Sequence, residues 1–157
     1  MPQEELRVAK IRNGTVIDHI PAGKALQVLR ILGIKGTEGH IATILMNVPS
    51  GKLGKKDLVK IEDMTVGSKQ TQLIALIAPD ASVDIVSNYE VKEKHRPSPP
   101  DVVEGLVKCP NMMCISNKRD EPIVPKLSVE SKNPVVLRCV YCRTILPADE
   151  ISAHLVE

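Results

Sequence analysis

Four cysteines close to the C-terminus constrain this chain more than any other feature. They fall as two pairs, Cys109-Pro-Asn-Met-Met-Cys114 and Cys139-Val-Tyr-Cys142, with 24 residues between the pairs, and the sequence has no others. Two knuckles at this spacing can bring four thiolates around one tetrahedral ion, for which zinc is the natural occupant. Two disulfides in a secreted domain, or buried free thiols, are the competing readings. The first residues carry no basic-plus-apolar leader, which speaks against an oxidising compartment and for a cytoplasmic protein. Four thiolates leave no open position for water, so one ion held by Cys109, Cys114, Cys139 and Cys142 would be structural rather than catalytic.

The segment around these cysteines is short. Fewer than about 60 residues make a small core, a deficit that a metal offsets. Short strands are expected at 106–108, 123–129, 135–138 and 144–146. From Asp101 onward seven Lys and Arg face eight Asp and Glu. Four thiolates on a divalent ion add about two more negative charges. Phe and Trp are absent from the whole chain and Tyr occurs twice, so aromatic platforms for base stacking are lacking. An acidic module of this kind is a poor ligand for a phosphate backbone and suits contact with another protein.

Ahead of it, Arg96-Pro97-Ser98-Pro99-Pro100-Asp101 places three prolines within four residues and reads as a stiff connector. We therefore divide the chain into a domain at 1–96, a linker at 97–101 and a metal-binding domain at 102–157. In the first domain, alternation predicts a strand at 6–11, a hairpin turn at Asn13-Gly14 and a returning strand at 15–20. Pro21 and Ala22 open a helix with Ala25, Val28, Leu29 and Leu32 at helical spacing and Gly33 at its C-terminus. Residues 41–48 are β-branched and apolar, as an interior strand would be. A turn at 49–54 leads to a strand at 57–62, a helix at 68–78 and strands at 82–87 and 89–94. The order is that of a ferredoxin-like fold, an antiparallel sheet with both helices on one face. The fold class is α+β, with a small all-β module appended.

Strand parity then defines the other face of the sheet. Val59, Ile61, Val83 and Ile85 should pack under the helices, leaving Lys56, Leu58, Lys60, Asp84 and Val86 on the open side. A face that mixes lysines with Leu58 and Val86 is neither core nor ordinary surface and calls for a ligand or a second subunit. Lys52, Lys55, Lys56 and Lys60 form the densest positive run, with Lys94 beside them if its strand is adjacent. Such runs are commonly solvated, but converging ammonium groups beside apolar surface also suit a phosphorylated small molecule. No phosphate-binding glycine loop is present. Asp18-His19 in a regular strand would point to opposite faces, so the pair should orient or hydrogen-bond rather than catalyse. No apolar run approaches the ~20 residues that span a bilayer. A nucleic-acid-binding zinc ribbon and a small enzyme are the rival readings; the charge balance speaks against the first and the missing nucleophile against the second.

Several motifs in order carry a resemblance. Asn13-Gly14-Thr15-Val16-Ile17-Asp18-His19-Ile20, Val48-Pro49-Ser50-Gly51 with Lys55-Lys56-Asp57-Leu58, Asn88-Tyr89-Glu90-Val91 and Cys109-Pro110-Asn111 with Cys114-Ile115-Ser116 resemble the regulatory chain of aspartate carbamoyltransferase over nearly the full length. The resemblance implies a non-catalytic subunit of pyrimidine biosynthesis. Its N-terminal domain would bind nucleotide effectors, ATP as activator and CTP with UTP as inhibitor. Its zinc domain would dock on the catalytic chain, with Asn111 at the contact, and regulatory homodimers would tie catalytic trimers together. The effector pocket would use Val8, Lys10 and Ile11, then Asp18 and His19. Lys60 and Lys94 would meet the phosphates with Lys56 nearby, while Asp84, Val86, Tyr89 and Val91 would surround base and ribose. Asp84 stands where better-known bacterial members carry an amide, and Lys10 where they carry a small apolar residue. An amide donates and accepts, whereas an ionised carboxylate only accepts.

Overall fold

The computed structural model describes residues 10–51 and 54–156. Two antiparallel sheets organise the chain. The first contains β1 (Gly14–Pro21), β2 (Ala42–Ser50), β3 (Gly54–Glu62), β4 (Ser82–Ser87) and β5 (Glu90–His95), in the spatial order β2-β3-β1-β4-β5. Between these strands lie α1 (Ala25–Ile31) and α2 (Ser68–Ile74). The first four strands and two helices form the expected ferredoxin-like arrangement, and β5 extends it at one edge.

Alternation explains which face is covered. Ile17, Val59, Ile61 and Val83 are fully buried against Val28, Leu29 and Ile31 of α1 and Ile74 of α2. Gly33 ends α1 as expected. At φ 74° its N–H donates to the Arg30 carbonyl while Ile34 N–H donates to that of Leu29, both at 3.0 Å.

Two local expectations are revised, and a third lies mostly outside the described residues. Asn13-Gly14 is not a hairpin turn, because Gly14 is the first residue of the central strand β1, facing Glu62 on one side and Val86 on the other. Its φ of 145° and its approach to the Ile61 carbonyl leave no room for a Cβ. Of the strand expected at 6–11, only Lys10 and Ile11 lie within the described residues, and neither is in a strand. Residues 41–48 do form a strand, but β2 is an edge rather than an interior strand, with Ile44 and Met46 exposed.

The second sheet contains β6 (Val102–Glu104), β7 (Lys126–Lys132), β8 (Val135–Cys139) and β9 (Ile145–Pro147), in that spatial order. A 3-10 turn over Ala148–His154 follows. The strand expected at 106–108 shrinks to a single bridge between Val107 and Leu155. β6 instead begins directly after the prolines. Val103, Leu127, Leu137, Leu146 and Ile151 make the small core, which continues without a break into the apolar cluster under the first sheet. Arg30 Nη2 donates to the Leu155 carbonyl at 3.5 Å, joining α1 to the C-terminal segment.

Candidate functional site

The open face of the first sheet holds a cavity of about 440 Å³. Leu58 and Lys60 reach it from β3, Val16 and Asp18 from β1, Asp84 and Val86 from β4, and Val91 from β5. Lys10 and Ile11 close one side before β1 begins, and Tyr89 stands at the β4–β5 turn. Parity thus brings together most of the residues expected on this face. Val16, which alternates with Asp18, belongs with them and was legible from the same pattern.

Lys60, Val16, Asp84 and Lys94 form one row across four strands, since Val16 pairs with Lys60 and with Asp84, and Asp84 pairs with Lys94. Lys56 does not line the cavity but is tied to it, its Nζ 2.8 Å from Asp18 Oδ1. Val8 lies outside the described residues.

The bulge in β1 changes the geometry expected of Asp18 and His19. Ile17 and Ile20 are both fully buried, so the two residues between them cannot alternate as in a regular strand. His19 takes a left-handed backbone (φ 59°), and both side chains are left outside the core, half-buried. The opposite-face expectation therefore fails. His19 N–H donates to Asp18 Oδ1 at 2.7 Å, and the imidazole lies near enough to favour the ionised forms of both Asp18 and Asp84.

Three groups have perturbed ionisation. Burial works against ionised Asp18, but the Lys56 ammonium and the His19 N–H outweigh it and hold the carboxyl below its ordinary range. Burial depresses Lys60, with Asp18 opposing. Burial raises Asp84, against the pull of Lys94 and with like-charged Asp18 adding to the rise. The β4–β5 turn also carries strain. Asn88 (φ 52°) and Tyr89 (φ 67°) occupy both left-handed positions of a two-residue hairpin, where Tyr is unusual.

The second site is the cysteine cluster. All four Sγ atoms lie within 4.8 Å of one another, Cys109 to Cys142 at 3.5 Å and Cys114 to Cys139 at 3.7 Å. Zinc–sulfur bonds of about 2.3 Å in a tetrahedron require edges of about 3.8 Å, so the donor set fits the ion. The first three cysteines are buried and Cys142 is half-buried. Cys142 and Thr144 Oγ1 lie 3.1 Å apart, a contact that pulls the thiol down to about 6, while burial pushes Cys109 and Cys139 up. A cation offsets the charge that burial penalises. Asn111 shapes the first knuckle: its Oδ1 accepts from Met113 N–H at 3.0 Å, and Asn117 Nδ2 donates to the Asn111 carbonyl at 2.8 Å.

Comparison with known proteins assigns both halves. Residues 6–98 match the family described as aspartate carbamoyltransferase regulatory chain, allosteric domain, and residues 101–152 match the metal binding domain of the same chain. The protein belongs to the aspartate carbamoyltransferase regulatory chains. A regulatory chain from Staphylothermus marinus is 54% identical over 151 residues, covering 96% of this chain and 92% of that one. One from Methanothrix thermoacetophila is 57% identical over 142 residues, covering 90% and 92%. One from Ignicoccus hospitalis is 52% identical over 153 residues, covering 97% and 98%. In this family the chain is the allosteric, non-catalytic subunit. The allosteric match spans the open face, and the metal-binding match spans the four cysteines, which hold one structural zinc. Among the described residues no helix is long and apolar enough to cross a membrane.

Proposed function

We propose that the open face binds nucleotide effectors, ATP, CTP and UTP, and that the zinc domain docks on the catalytic chain of aspartate carbamoyltransferase in the cytoplasm. The observation that carries this reading is the cavity itself, in which lysines converge on apolar walls away from the metal. Lys60 and Lys94 meet the phosphates, with Lys56 nearby, and His19 belongs to the same pocket. Asp84, Val86, Tyr89 and Val91 surround base and ribose, and Lys10, Ile11 and Asp18 complete the pocket wall. Effector binding shifts the assembly only to the extent that the two quaternary states differ in affinity for it.

Two surfaces support the partner assignments. Met112 and Met113, 87% and 78% exposed, follow Asn111 in the first knuckle and offer an adaptable apolar contact to the catalytic chain. The exposed β2 edge, with Ile44 and Met46, suits pairing with a second regulatory chain. In the division we propose, at 1–96, 97–101 and 102–157, the two contacts fall on opposite sides of the linker. Calorimetry of the full chain with ATP, CTP and UTP tests the effector reading. Lys60→Met is expected to weaken ATP binding by roughly tenfold or more, since it removes a charge-assisted contact. Absence of binding by all three nucleotides to the unmodified chain would sink the reading.

A further inference from the structure

Each cysteine pair is followed at the same distance by a hydroxyl. Ser116 stands two residues beyond Cys114, and Thr144 two residues beyond Cys142. The match holds in space, with Ser116 Oγ 3.1 Å from Cys114 Sγ and Thr144 Oγ1 3.1 Å from Cys142 Sγ. Local backbone geometry brings each hydroxyl back over its sulfur. In the first pair a 3-10 turn at Ile115–Asn117 does so, closed by Asn117 N–H donating to the Cys114 carbonyl at 2.9 Å. In the second, Arg143 takes a left-handed backbone (φ 70°), and Cys139 N–H donates to the Thr144 carbonyl at 2.9 Å. Metal binding fixes the direction of both hydroxyl contacts. A free thiol can donate to a hydroxyl oxygen, but a zinc-bound thiolate carries no proton, so each hydroxyl donates to sulfur.

We infer that Ser116 and Thr144 are positioning residues of the metal centre, whose hydroxyls orient the Cys114 and Cys142 thiolates and set how tightly the ion is held. Four thiolates around one divalent cation leave about two negative charges in excess. Three of the four cysteines are buried, so water is a poor source of compensating donors and the protein must supply them. The backbone supplies one, Asn111 N–H to Cys109 Sγ at 3.4 Å. Ser116 and Thr144 supply two more from side chains. The two are not equivalent. Cys114 is buried and Cys142 half-buried, so water replaces the Thr144 hydroxyl more readily than that of Ser116.

The test is competition for zinc between the metal-loaded full chain and a chromophoric chelator, in the unmodified protein and in Ser116→Ala, Thr144→Val and Thr144→Ser. Ser116→Ala is expected to weaken zinc binding by about tenfold or more, within the range for groups that orient metal ligands. Thr144→Val should weaken it by less, and Thr144→Ser, which keeps the hydroxyl, should match the unmodified chain. Cobalt in place of zinc gives a readout that packing alone does not move. Losing a hydrogen bond raises the energy of the sulfur lone pairs, so the thiolate-to-cobalt charge-transfer band should shift to longer wavelength in Ser116→Ala and Thr144→Val. Unchanged affinity and an unchanged band in both variants would overturn the inference. Weakened binding without a band shift, or an equal loss in Thr144→Ser, would assign the effect to packing and overturn it as well. If Ser116→Ala does not fold, the two Thr144 variants decide alone. Failure of the unmodified chain to hold zinc would overturn the metal centre itself.

Discussion

Lys56 Nζ stands 2.8 Å from Asp18 Oδ1, a contact made where Asp18 and His19 of β1 together oppose the single residue Leu58 of β3. Burial alone would raise the Asp18 carboxyl, yet it sits below its ordinary value because Lys56 and the His19 N–H favour the ionised form. A carboxyl lowered on folding contributes stability above its unfolded value, about pH 4, and that contribution disappears as pH falls through the folded value. The pair is partly exposed, so its worth is small. Lys56→Met is expected to cost about 0.5–1 kcal/mol at pH 7 and less near pH 3. Thermal unfolding at the two pH values checks this, and an equal loss at both would assign the effect to packing.

Asp57, the next residue along β3, faces the opposite way and is fully buried. Its Oδ2 accepts from Gly23 N–H at 2.9 Å and Ala25 N–H at 3.0 Å, and its Oδ1 from Asn47 N–H at 2.9 Å. One carboxylate thereby fixes the start of α1 and the left-handed residue (Asn47, φ 60°) at the β2 bulge. Asp57→Ala leaves three N–H groups without this acceptor, two of them in partly buried contacts, and is expected to cost about 3 kcal/mol. Asp57→Asn, which keeps part of the acceptor capacity, should recover some of that loss in the same denaturant titration.

These two neighbours also show what the sequence reveals and what it hides. Alternation assigned Val59, Ile61 and Val83 to the core and Leu58, Lys60, Asp84 and Val86 to the open face, because burial on one side of a sheet imposes a period of two. The cysteine spacing was legible for a similar reason, since one ion fixes the donor geometry. Asp57 was not legible as a buried anchor, because its donors lie 10, 32 and 34 residues away in sequence. The bulge at Asp18-His19 breaks the alternation that would have placed it. β2 read as interior because its residues are β-branched and apolar, whereas edge position follows from sheet order, a property of the whole topology. β6 was hidden by the prolines immediately before it.

Tyr89 trades backbone strain for a wall of the cavity. A left-handed non-glycine residue costs on the order of 1–2 kcal/mol, and the ring, 58% exposed, regains little by packing. Tyr89→Gly relieves that strain while adding entropy to the unfolded chain, about 0.4–1 kcal/mol. The two nearly offset, so stability should change by less than about 1 kcal/mol while nucleotide affinity falls several-fold. Thermal melts and calorimetry on the same variant check the pair of outcomes. Affinity unchanged, with or without a shift in melting temperature, would remove Tyr89 from the binding surface.

The zinc cluster supplies the last prediction, on how separable the two halves are. Cys114 is buried, its Sγ 3.7 Å from that of Cys139 and 3.1 Å from Ser116 Oγ. Cys114→Ala removes one of four donors and with it most of the metal-derived stability of a small core. The knuckle bearing Asn111, Met112 and Met113 then loses its shape, and co-purification with the catalytic chain is expected to be abolished. Nucleotide binding to the full-length variant should persist, because the open face is built by β1, β3, β4 and β5, none of which carries a cysteine. The continuous apolar cluster predicts one further effect: losing order around Val103, Val107 and Leu155 uncovers part of the core beneath α1, so the melting temperature of the remaining fold should fall. Size-exclusion chromatography with the catalytic trimer, alongside calorimetry with ATP, reads both halves. Retained assembly in the variant would show that the docking surface does not depend on the metal, and lost ATP binding would show that the two halves fold as one.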